Sequence, residues 1–145
     1  MVPTNYLAVL VCGIVAMGLG WLWYGPLFGK QWMAIMGWTP EKMAAMQSDP
    51  KMKATMMRSY GLMFVGALVM AWVLSRATVF TGSYMQLSGV AAGLHAGFLS
   101  WLGFVAPATL GGVLWEQKPW KWWMLLNGYY VVALVVMGVI LGAWM

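Results

Sequence analysis

The stretch WLWYGPLFGKQW, Trp21 to Trp32, decides the fold class. A run with no charged residue, Tyr6 to Tyr24, leads into it, and Gly25-Pro26 and Lys30 then interrupt the pattern. One helical crossing of a bilayer needs about 20 predominantly apolar residues. The aromatics at the end of this run, Trp21, Trp23, Tyr24 and Trp32, have the composition of an aromatic belt at a membrane–water interface. Proline cannot continue a helical ladder, so Gly25-Pro26 is expected to end the crossing. Beyond it Phe28, Trp32, Ile35 and Met36 recur at helical spacing with Lys30 on the other face, which predicts a short amphipathic helix lying on the membrane. An interfacial anchor comprising Trp21, Tyr24, Gly25, Pro26, Lys30 and Trp32 is expected ahead of a binding motif.

Composition extends this reading to the whole chain. Of 145 residues, 63% are hydrophobic and only 8% charged, against about a quarter charged in soluble domains. Such a chain cannot solvate its own surface in water and reads as one integral membrane domain over residues 1–145. The net charge of +5 sits in short loops between apolar spans, so anionic lipid headgroups, and not nucleic acid, are its natural partners. Cys12 is the only cysteine, which excludes an intrachain disulfide, and its apolar setting makes it a small packing residue. The N-terminus lacks the basic region of a cleavable signal peptide.

Four spans follow, at about residues 6–24, 59–75, 87–106 and 122–144. Arg58 and Arg76 bracket the second, whose 17 intervening residues rise roughly 25 Å at 1.5 Å each, with both guanidiniums snorkelling to the interfaces. The third begins near Leu87, and Pro107 and Leu110–Gly112 are expected to kink or end it. Thr39 and Asp49 are expected to cap short and long helices in the first loop. The first and third loops together carry Lys30, Lys42, Lys51, Lys53, Arg58, Lys118 and Lys121, and the second carries only Arg76. That asymmetry predicts a multi-pass protein of the plasma (inner) membrane with loops one and three in the cytoplasm and both termini outside.

Two further patterns bear on architecture. WLWYGP (Trp21–Pro26) is similar to WLGFVAP (Trp101–Pro107), and Gly61–Leu74 is similar to Gly128–Leu141. Duplication of a helical hairpin and chance resemblance between apolar segments both account for the match. Gly89, Gly93 and Gly97 fall four apart in the third span, as do Gly138 and Gly142 in the fourth. Small residues at this spacing let helix backbones approach closely in lipid, within one chain or between chains.

WYGPLFGKQW, with Gly103, Phe104, Pro107 and Trp115-Glu116, resembles a small bacterial integral-membrane family, domain of unknown function 1761. The resemblance covers nearly the whole chain. It implies four spans and no established activity, so no catalytic residue carries over from it.

Few residues offer chemistry. His95 is the only histidine and the only ionisable side chain deep in a span, a position that marks functional candidates. A neutral imidazole bonded to a neighbouring helix is the ordinary alternative. One histidine cannot build a multi-ligand metal site within a chain, and no cofactor is expected. Glu116 is expected to pair with Lys118 or Lys121, and Asn127 to bond across helices. No catalytic spacing is visible, so enzyme activity is not expected. An all-α bundle of four spans, packing as a structural or accessory subunit in a homo-oligomer or with other membrane subunits, is the leading expectation. A small transporter or channel for an apolar or small solute is the alternative. A lipid-acting enzyme using His95 and Glu116 is the weakest.

Overall fold

Asn5 opens the first helix, its side-chain oxygen accepting the Ala8 backbone N–H at 3.1 Å. The computed structural model describes residues 3–145. Helix α1, Tyr6–Leu22, passes into a π-helical turn, Trp23–Leu27, and the short helices α2, Gly29–Met36, and α3, Pro40–Ser48, follow. Thr39 and Asp49 cap α3 and the next helix, accepting from the Lys42 and Lys51 backbone N–H groups. Each is followed by a proline at the first helical position, where the missing N–H removes no bond.

Helix α4 runs unbroken from Pro50 to Met85, 36 residues, or about 54 Å at 1.5 Å per residue. It therefore continues nine residues past Arg76, where the sequence places the end of the span. Arg76 can sit within the helix because its charge is met laterally. The guanidinium lies 4.1 Å from the centre of the Trp72 ring and donates to Thr4 Oγ1 at 2.8 Å.

The third crossing is α5, Gly89–Ser100, a π-helical turn, Trp101–Val105, and α6, Ala106–Leu114. Neither Pro107 nor the Leu110–Gly112 segment ends it, and the helix extends eight residues beyond 106. The wider turn explains the tolerance. The Ala106 N–H reaches back to the Trp101 carbonyl, so Pro107 falls in the first turn of a new α-segment, where a donor is dispensable. The two π turns overlap the two similar stretches WLWYGP and WLGFVAP. Helix α7, Trp120–Ala143, is the fourth crossing.

The four crossings, each long and apolar enough to span a membrane, form a ring through α1, α4, α5 and α7, with α4 and α7 also touching across it. Small residues set the spacing. Ala8, Cys12, Ala16 and Ala71 pack with Leu74 and Met137 at the centre. The α5–α7 contact is closer still. A Cβ on Gly93 would strike the Gly138 carbonyl oxygen, one on Gly138 the Gly93 oxygen, and one on Gly142 the Gly89 oxygen. A Cβ on Gly97 would lie 2.8 Å from the Leu134 carbonyl carbon. These glycine hydrogens face opposing carbonyl oxygens, the geometry of Cα–H···O contacts between helices. The glycine faces are thus occupied within the chain.

Candidate functional site

The two π turns aim tryptophans inward. Trp23 Nε1 donates to the Leu125 carbonyl at 3.0 Å, and its ring lies against Gly128, where a Cβ would be 2.7 Å from Cζ2. Trp101 Nε1 donates to Asn127 Oδ1 at 3.0 Å. Asn127 is 2% exposed, and its amide nitrogen donates to Thr109 Oγ1 at 2.9 Å and to the Trp123 carbonyl at 3.1 Å. Thr109 in turn donates to the Val105 and Ala106 carbonyls, and Trp123 Nε1 to Ala106 at 3.4 Å. Asn127 therefore bridges α7 to the third crossing at its π turn, with both ends of its amide satisfied.

The opening motif combines exposed and half-buried aromatics. Trp21 is 73% exposed and suits an interface. Trp23, Tyr24 and Trp32 are half-buried; Gly25-Pro26 lies inside a π turn, after which α2 packs against α7. Tyr24 packs on Trp32 with ring centres 4.6 Å apart and on Tyr129 at 5.5 Å. Lys30 remains exposed on α2.

Beside this cluster α1 and α4 part. Gly13 holds them together, with Leu68 Cδ2 only 2.6 Å from where its Cβ would be. One turn on, Met17 and Met63 replace small residues, while Gly20 and Gly66 contribute no side chain. A cavity of about 320 Å³ results, lined by Met17, Gly20, Trp21, Tyr24, Tyr60 and Tyr129 among others. A second of about 140 Å³ continues it along α4 through Met63 and Met70 to Met137. The two share Ala16, Met17, Met63 and Tyr129 and so form one groove, open between α1 and α4 and floored by α7. Its lining contains no charged side chain. The Tyr129 hydroxyl is committed to the Ala16 carbonyl at 2.9 Å.

His95 does not reach a neighbouring helix. Its Nδ1 lies 2.8 Å from the Ala91 carbonyl, one turn back on α5. A carbonyl only accepts, so in this contact Nδ1 is the donor, and the bond stays within the histidine's own helix. Glu116 Oε2 is 3.5 Å from Lys118 Nζ, which also sits 4.3 Å from the centre of the Trp122 ring. Among the described residues no group of three or more His, Cys, Asp or Glu side chains is placed to hold a metal ion. His95, Glu116 and Asn127 are not gathered into one site. The groove residues Met17, Met63, Met70, Tyr60 and Tyr129 were not singled out by the sequence. The one trace of them there is Met63 and Met70 recurring at a two-turn spacing on one face of α4.

Helices of this length and polarity around a laterally open groove define a polytopic α-helical membrane protein. The chain belongs to the family described as protein of unknown function (DUF1761), whose sequence model matches residues 7–142. No curated protein and no solved structure matches it.

Proposed function

We propose that the protein is a non-enzymatic membrane protein that binds an uncharged amphiphile, a neutral lipid with a hydroxyl-bearing head, in the groove between α1 and α4. The observation that carries this reading is the lining itself: thioethers and tyrosines, with no charged side chain. In a bilayer an apolar groove gains nothing from the hydrophobic effect, because lipid tails are as apolar as its walls. Selective binding must come from shape and from hydrogen bonds made in a low dielectric. Methionine supplies adaptable shape for a flexible chain. Tyr24 and Tyr60 line the end of the groove nearest the basic loops, where a hydroxyl-bearing head would bond their phenols. A lining without a cation favours an uncharged head over a phosphate or carboxylate. The glycine faces that recommend an assembly role are occupied between α5 and α7, which leaves the groove as the better-supported feature.

The test is photocross-linking in detergent micelles with a short-chain diacylglycerol carrying a diazirine in one acyl chain. Adducts are expected on Met17, Met63 or Tyr129 and should be competed by unlabelled diacylglycerol more effectively than by phosphatidic acid of the same chain length. Met63→Trp, which fills the groove from its exposed side, should reduce those adducts at least tenfold without changing the helical circular dichroism. Equal labelling of wild type and a folded Met63→Trp protein would defeat the proposal.

A further inference from the structure

Met137 lines the far part of the groove. A cavity of about 330 Å³ lies on the other flank of α4, between α4 and α5, lined by Val69, Val73, Ala77, Ser100, Phe104 and Leu134 among others, and Met70 lines it as well. Met70 is also part of the wall of the groove. On the α7 side the neighbouring residues Ala133 and Leu134 line one cavity each. The two spaces thus flank the contact between α4 and α7, with a single methionine common to both.

We infer that Met70 is a movable partition, and that the groove and the α4–α5 cavity together form one path along which the hydrocarbon chain of the amphiphile threads through the bundle. This deepens the proposed lipid-binding reading and rests on it. Methionine has three rotatable bonds and an unbranched thioether, so it can change rotamer where a branched side chain would not. Met70 is only partly buried, unlike Met137 at 1% exposure, and both spaces beside it can receive its displaced methyl group. The path has a consistent direction. Lining residues on α4 advance from Tyr60 through Met63 and Met70 to Ala77, about 25 Å of rise at 1.5 Å per residue. That is most of the roughly 30 Å hydrocarbon thickness. Both spaces are lined mainly by apolar side chains, with the Ser100 hydroxyl the one polar side chain in the α4–α5 cavity, so a chain meets no charged barrier along it.

The experiment tethers the chain so that it cannot simply enter the second cavity from bulk lipid. In a Cys12→Ala background, Tyr60→Cys is alkylated with a long alkyl chain bearing a terminal diazirine, the full-length protein is reconstituted in lipid, and the adducts are mapped by mass spectrometry. Adducts are expected at Val73, Ala77 or Phe104. Met70→Trp should reduce them at least fivefold and shift labelling to Met17, Met63 and Tyr129. Met70→Ala should raise labelling in the second cavity, and this variant keeps the test decisive if the tryptophan variant does not fold. Labelling that stays on the groove residues in wild type and in Met70→Ala would overturn the through-path while leaving the groove intact. Labelling of neither set would defeat the groove reading itself. Second-cavity adducts unchanged by either Met70 substitution would show that Met70 is no partition.

Discussion

Gly93→Ala is expected to unfold the protein under detergent conditions in which the wild type survives, and Gly93→Leu to prevent folding altogether. The first added carbon would clash with the Gly138 carbonyl oxygen. Overpacking typically costs about 1–3 kcal/mol when side chains can move aside. Here the obstacle is backbone, and relief requires separating α5 from α7, which also breaks the reciprocal packing at Gly97, Gly138 and Gly142. A loss of about 3 kcal/mol or more is expected for alanine. The measurement is reversible unfolding in mixed micelles followed by circular dichroism. Two controls separate the close approach from helix propensity. Gly61 has open space where its Cβ would be, so Gly61→Ala should be neutral or slightly stabilising. Ala91 faces outward from α5, so Ala91→Leu should be tolerated. Because the helices meet within one chain, the loss should not depend on the protein-to-detergent ratio. A Gly93→Ala protein as stable as wild type would contradict the α5–α7 packing, and a concentration-dependent loss would move the glycine interface between chains.

The second large effect is expected at Asn127. Asn127→Leu keeps the volume but removes the acceptor for Trp101 Nε1 and the donor to Thr109. Interhelical hydrogen bonds in membranes contribute about 0.6 kcal/mol on average and up to about 1.7 kcal/mol. With both of these bonds broken and a partly buried indole N–H left unpaired, a destabilisation of about 1–3 kcal/mol is expected. Trp101→Phe removes one of the same bonds from the other side. The two substitutions should therefore be non-additive, the double variant costing at least about 0.5 kcal/mol less than the sum. Strict additivity would mean that the Trp101–Asn127 bond contributes nothing to holding the third crossing against α7.

Much of this architecture is legible in the sequence because lipid imposes simple rules. Charge-free runs of bilayer length give the four crossings, and Thr39-Pro40 and Asp49-Pro50 announce their helix starts by chemistry local to the turn. What escapes the sequence is lateral. Arg76 closes a charge-free run, but the sequence does not show that the helix continues past it with Trp72 and Thr4 beside the guanidinium. Pro107 looks like a kink or an end because a proline normally removes an α-helical bond; the sequence does not show which, and a π turn just before it lets the helix continue. Trp23 and Tyr24 have the composition of an interfacial belt, and their contacts with α7 at Leu125, Gly128 and Tyr129 have no signature in the sequence. A glycine repeat specifies close packing without naming its partner. His95 draws notice because it ionises, yet its one hydrogen bond, from Nδ1, goes to the carbonyl one turn back on its own helix. The groove is the least legible feature. It arises where α1 and α4 diverge past Gly13, and its methionines are indistinguishable in sequence from those of an ordinary core.

The most direct test of lipid binding in the groove is an experimental structure of the protein in a lipid nanodisc containing diacylglycerol. Elongated non-protein density is expected along Met17, Met63 and Tyr129, with its polar end within hydrogen-bonding reach of the Tyr24 or Tyr60 hydroxyl. A structure in which α1 closes against α4 at Met17 and Met63, or in which a second copy of the chain fills the groove, would contradict the proposed function.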